Sequence, residues 1–105
     1  MLNIKTNHLQ IILSILKQFV PSCEVRVFGS RCNGNVKEYS DLDLVIVGKE
    51  RLDWNVLADT KEAFEESDLP YRVDLLDWNA ISPEFRNVIE TRGFEIIQNV
   101  QVKGY

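Results

Sequence analysis

The stretch that decides the reading is FGSRCNGNVKEYSDLDLVIVG, residues 28–48. A glycine-serine pair opens it, a polar loop follows, and two aspartates one residue apart head an apolar run. Side chains alternate faces along a strand. In DLDLVIV, residues 41–47, Leu42, Leu44 and Ile46 therefore share one face, and Asp41 and Asp43 share the other. Two like charges on one side of a strand repel and lose solvation unless a cation compensates them. If helices cover the Leu42 face, both carboxylates look out over the open side of the sheet. The same rule applied to RVDLLD, residues 72–77, sets Val73 and Leu75 on the covered face and Asp74 on the open one. One assumption about coverage thus places three carboxylates together.

Clustered carboxylates favour Mg²⁺, which prefers hard oxygen ligands and keeps positions open for phosphate oxygens. Two such ions can clamp an in-line nucleotidyl displacement. A D-x-D pair alone also fits many strand ends. The residues between and after it do not fit an EF-hand, because leucines intervene and no bidentate Glu follows at the required position. The chain is too short for a two-part sugar-transferase domain.

Ahead of the aspartates, Gly29-Ser30 sits just past a strand. Glycine lets the backbone approach a ligand closely. A helix starting near Ser30 would turn free N–H groups toward an anion, and the Ser30 hydroxyl could donate to a phosphate oxygen. Arg31 and Lys37 could add positive charge. A simple turn would use the same Gly-Ser pair. The segment is neither a P-loop nor a dinucleotide fingerprint, since G-x-x-x-x-G-K and G-x-G-x-x-G are both absent.

Outward from this stretch, apolar residues at three- and four-residue steps (Leu9, Ile12, Ile15, Leu16, Phe19) predict an amphipathic helix over 7–19. Asn7 and Gln10 would form a capping box, and Pro21 would stop the helix. EVRVF, residues 24–28, alternates as a short strand. Segment 29–40 is a loop, with or without a short helix. Asp53 is the expected N-cap of a helix over 54–67, with Trp54, Leu57 and Phe64 as its inner stripe. YRVDLLDW, residues 71–78, is a third strand. Ser82 caps a helix with Pro83 at its first position. Phe85, Val88 and Ile89 should face inward, and Gly93 should end the helix. FEII, residues 94–97, adds a short strand. The expected fold is a small α/β (α+β) domain over 1–99, one mixed sheet with helices mainly on one face. Residues 100–105 read as a disordered tail.

Composition agrees. The chain has 105 residues, of which 45% are apolar and 27% charged, the balance of a globular domain. A formal net charge of −4 argues against nucleic acid as the main partner, which calls for a basic face. No apolar run reaches the roughly 20 residues that span a bilayer, and MLNIKTNHLQ lacks a secretory layout. A cytoplasmic location is expected, without membrane attachment. Cys23 and Cys32 form no C-x-x-C pair and have no histidine cluster beside them, so neither a disulfide framework nor zinc is expected.

The combination of Gly29-Ser30, ten residues, Asp41-Leu42-Asp43 and a third aspartate in a later strand resembles the nucleotidyltransferase superfamily of the DNA polymerase β type. Within it, GSRCNGNVKEYSDLDLVIV is similar to the minimal nucleotidyltransferases, the MNT half of HEPN–MNT toxin–antitoxin pairs. The resemblance implies that Gly29, Ser30, Arg31 and Ser40 bind the nucleotide. It implies that Asp41, Asp43 and Asp74 bind one or two Mg²⁺ ions and carry catalysis, with Asp74 also activating the acceptor hydroxyl. It implies attack on the α-phosphorus of ATP, release of pyrophosphate, and AMP left on a tyrosine of a HEPN partner. Asn33 departs from the pattern, because many relatives carry a basic residue there, and this removes one possible phosphate contact. A binding module that neutralises a toxin by contact, and transfer to a small molecule, are the alternative functions. The small size implies that a partner, or a second copy, completes the site.

Other residues read as structural. His8 caps or decorates the surface, Trp54 and Trp78 pack, and Glu62, Glu65 and Glu66 line a solvated helix face. Tyr39 could overlie a nucleotide. Arg72 shares the face of Asp74 and is placed to pair with it rather than with substrate.

Overall fold

A computed structural model describes residues 2–33 and 40–100, with Asn33 placed by its backbone only. Lys37, Tyr39 and residues 101–105, on which expectations were placed above, lie outside the described residues.

Eight elements follow in chain order: α1 (Thr6–Phe19), β1 (Glu24–Phe28), α2 (Ser30–Asn33), β2 (Leu42–Val47), α3 (Trp54–Glu65), β3 (Val73–Asp77), α4 (Pro83–Arg92) and β4 (Glu95–Gln98). The four strands form one mixed sheet in the order β3-β2-β1-β4. β1 runs antiparallel to both β2 and β4, whereas β2 and β3 are parallel. A parallel pair needs a crossover, and α3 supplies it.

The helix ends follow local chemistry. The Asp53 side chain accepts from Asn55 N at 2.9 Å, and Ser82 Oγ accepts from Phe85 N at 3.1 Å. Such caps each contribute ~1 kcal/mol. The capping box expected from Asn7 and Gln10 does not form. α1 starts one residue earlier, with Lys5 at the N-cap and no side-chain cap bond. Gly93, at φ 102°, ends α4 as expected.

The main core lies between α1, α3 and one face of the sheet. Ile12 and Leu16 of α1, Val25 and Val27 of β1, Leu42, Leu44 and Ile46 of β2, and Phe64 of α3 are buried there. Each such aliphatic side chain contributes roughly 1.5–3 kcal/mol on removal from water. Gln98 pins β4 to the turn before β1 by donating to the carbonyls of Val20 (2.8 Å) and Cys23 (3.0 Å).

The other face is not wholly open. Phe28 points to it and meets Phe85 of α4 edge to face, with ring centroids 6.1 Å apart. Val45, on the same face as Asp43, is fully buried, and Ile89 of α4 is 2% exposed. Neither belongs to the main core, so α4 covers part of the face opposite α1 and α3. The expected inward stripes of α3 and α4 are only partly buried. Trp54, at the start of α3, is 77% exposed; on α4 Val88 is 43% exposed and Phe85, though it packs on Phe28, is 39% exposed, leaving Ile89 as the buried residue of α4. A helix that covers only part of a sheet buries a narrower stripe than its apolar pattern suggests.

Candidate active site

The register of the sheet assembles the site. Phe28 at the end of β1 pairs with Asp43 of β2, and Asp43 pairs with Asp74 of β3. The residue after Phe28 is Gly29, so the Gly29-Ser30 turn and two of the three aspartates meet at one end of the sheet. Gly29 has φ +76°, and a Cβ there would collide with the Asp43 carboxylate oxygen Oδ2. Glycine is required twice over, by its left-handed backbone and by the carboxylate against it. Ser30 opens α2, and Cys32 N bonds back to Gly29 O at 3.0 Å.

The three carboxylates differ in environment. Asp43 is half-buried, whereas Asp41 and Asp74 reach solvent. Burial pushes the Asp43 carboxyl above its usual range, and the negative charges of Asp74 and Asp41 push it further, while Arg72 pulls it back. Arg72 lies over the cluster. Its guanidinium donates to Asp74 Oδ1 through Nη2 at 2.8 Å and Nε at 3.1 Å, and Nε stands 3.9 Å from Asp41 Oδ2. The hydrogen bond from Arg72 to Asp74, with the nearby carboxylates, raises the arginine's already high pKa.

Three hard oxygen donors suit Mg²⁺ in chemistry. They do not stand as a closed cage: among the described residues, no three acidic, thiol or imidazole side chains are grouped to hold a metal ion. Asp43 and Asp74 are cross-strand neighbours, but Asp74 and Asp41 turn to the Arg72 guanidinium.

Arg31 has a different place from the one expected. It is 5% exposed, and its guanidinium donates to Ser40 O (2.8 and 3.0 Å) and to Asn3 O (2.9 Å) while lying 3.8 Å over the Tyr71 ring. It ties Ser40, the residue before Asp41, to α2 and to the amino end. Spacing in the sequence does not reveal this, because the acceptors are carbonyls 9 and 28 residues away.

A cleft of about 700 Å³ wraps the β3 edge, from Lys61 on α3 to Asp43, Asp74, Arg72 and the aromatic pair Phe28 and Phe85. Lys61 and Phe85 were not legible as site residues, since only the βαβ crossover and the placement of α4 bring them to this edge. A fourth aspartate, Asp77, is 4% exposed. It accepts from Leu52 N at 2.8 Å and Asn79 N at 3.0 Å. By alternation it lies on the face opposite Asp74, and its work is to hold two loops.

Comparison with known proteins follows the same outline. The family described as "Polymerase beta, Nucleotidyltransferase" matches residues 10–101. Over 88 residues the chain is 53% identical to a Haemophilus influenzae protein named "Probable protein adenylyltransferase MntA", covering 84% of this chain and 77% of that one. A solved toxin–antitoxin structure with AMP-PNP superposes with a TM-score of 0.72 at 22% identity, over 89% of this chain and 74% of that one. Another, of a tri-AMPylated Shewanella oneidensis HEPN toxin in complex with MNT antitoxin, gives 0.59 at 21% identity, over 88% and 70%. At these identities the two structures speak to likeness of fold.

Proposed function

Because this chain belongs to the polymerase beta nucleotidyltransferase family, we propose that it transfers AMP from ATP to a tyrosine hydroxyl of a HEPN-domain toxin and so acts as the antitoxin of a pair. The observation that carries this reading is the pairing of Asp43 with Asp74 beside a glycine that leaves no room for a side chain against Asp43. The relative at 53% identity is named "Probable protein adenylyltransferase MntA", and one similar structure is of a tri-AMPylated Shewanella oneidensis HEPN toxin in complex with MNT antitoxin. No described helix is long and apolar enough to cross a membrane, and a substrate such as ATP fits work in the cytoplasm.

In this mechanism Asp41, Asp43 and Asp74 hold Mg²⁺, which when bound offsets charge on the triphosphate and its leaving group. The open backbone at Gly29 and the Ser30 hydroxyl receive phosphate oxygens, and Ser40, anchored by Arg31, sets the entry to Asp41. Asp74, on the more exposed side, takes the proton of the acceptor hydroxyl. That oxygen forms a bond to the α-phosphorus, the bond from the α-phosphorus to the bridging oxygen breaks, and pyrophosphate departs. The cleft along β3 is where the acceptor approaches. Arg31 serves as a scaffold for the loop in this scheme rather than as a phosphate ligand.

The test incubates the chain with its HEPN partner, Mg²⁺ and α-labelled ATP. Label should appear on the partner and disappear with Asp41→Asn or Asp43→Asn. If those variants protect against the toxin as well as the unaltered chain does, neutralisation works by contact and the transferase reading is wrong.

A further inference from the structure

We propose that Arg72 is a built-in counter-cation of the acidic cluster, holding Asp41 and Asp74 in the absence of a divalent ion and leaving them when one binds. The inference rests on the reading of Asp41, Asp43 and Asp74 as cation ligands. It adds a competitor from within the chain.

The geometry is direct. Arg72 is two residues before Asp74 and on the same face, so its fork reaches back onto Asp74 Oδ1 by two donors and lies 3.9 Å from Asp41 Oδ2. Three carboxylates at one sheet end would repel one another, and this guanidinium offsets part of that charge. It occupies Asp74 Oδ1 and lies within ion-pair distance of Asp41 Oδ2, two of the oxygens a cation would use. The other arginine near the cluster, Arg31, is directed to the carbonyls of Ser40 and Asn3.

Arg72 is able to leave. Its side chain is 73% exposed, and an exposed ion pair adds little to stability. A divalent ion carries twice its charge and takes several oxygens at once. Arg72 thus acts as a positioning residue: it holds Asp74 and Asp41 toward its own guanidinium and weakens cation binding by competition.

The test titrates the full-length chain with Mn²⁺ and no nucleotide, reading free Mn²⁺ by electron paramagnetic resonance. Arg72→Gln should bind about three- to fivefold more tightly than the unaltered chain, the scale on which an exposed ion pair competes. Arg72→Lys, which keeps the charge, should stay near the unaltered value. In EDTA, Arg72→Gln should melt below the unaltered chain, and added Mn²⁺ should raise its melting temperature by more. An Arg72→Gln affinity equal to or weaker than that of the unaltered chain overturns the proposal while leaving the site reading intact. Absence of Mn²⁺ binding that Asp43→Asn abolishes, in every chain, overturns the site reading and the proposal with it.

Discussion

At the scale of single residues, the site is a compromise among groups that oppose one another. Gly29 is the clearest case, because its missing side chain is where the Asp43 carboxylate lies. Gly29→Ala adds a methyl in a left-handed backbone and pushes it into a carboxylate. The expected cost is about 1–3 kcal/mol of stability, with transfer of labelled AMP lost as Asp43 is displaced. Chemical denaturation and the labelling assay check the two parts separately. An Ala variant as stable and active as the unaltered chain would show that Asp43 moves aside freely. Arg31 shows how identity can mislead at this scale. An arginine beside a glycine-serine turn invites a phosphate, yet this one is buried and its donors face backbone carbonyls.

At the scale of elements, β3 carries two aspartates with opposite duties. Asp74 faces the cleft and Arg72, while Asp77 faces inward and holds the N–H groups of Leu52 and Asn79. The period of two separates them only by parity, and the surroundings decide what each does. Asp77→Ala would leave two partly buried donors unsatisfied and should cost about 1–3 kcal/mol for each. Asp74→Ala should change stability little, since its ion pair is exposed. Urea denaturation of the two variants distinguishes them, and equal losses would contradict this division of labour. α4 is the element whose pattern said least. Its apolar residues are spaced for burial, but it overlies only part of a face already shared with Phe28 and Val45.

At the scale of the whole molecule, stability and activity pull in opposite directions at Asp43. The folded state raises its carboxyl pKa, through burial first and then through Asp74 and Asp41, with Arg72 opposing. A raised carboxyl favours folding while protonated, below the ordinary range near 4, and this advantage is lost as pH rises through the raised value. Once ionised, Asp43 therefore holds the fold's stability down. Asp43→Asn should melt higher than the unaltered chain at pH 7 in EDTA, and the gap should close in acid. Calorimetry across pH checks this, and a variant that melts lower at pH 7 would show that the carboxylate supports the fold. Abolished transfer in the same variant would mark the acidic cluster as kept for chemistry.

Much of this was determined by the sequence alone. The period-two alternation in residues 41–47 and 72–77, the Asp53 and Ser82 caps, and the glycine-serine turn each follow from rules acting over a few residues. They place every strand within two residues at either end and put Asp41, Asp43 and Asp74 on one side. Tertiary structure decided what depends on contacts between distant segments. Pairing of β1 with β2 and of β2 with β3 set Gly29 against Asp43 and Asp43 opposite Asp74. The burial of Arg31, the exposure of Trp54 and the placement of α4 over the second face followed from how the elements pack. A side chain's local pattern states which way it points, but what it meets there is set by chain brought in from far along the sequence.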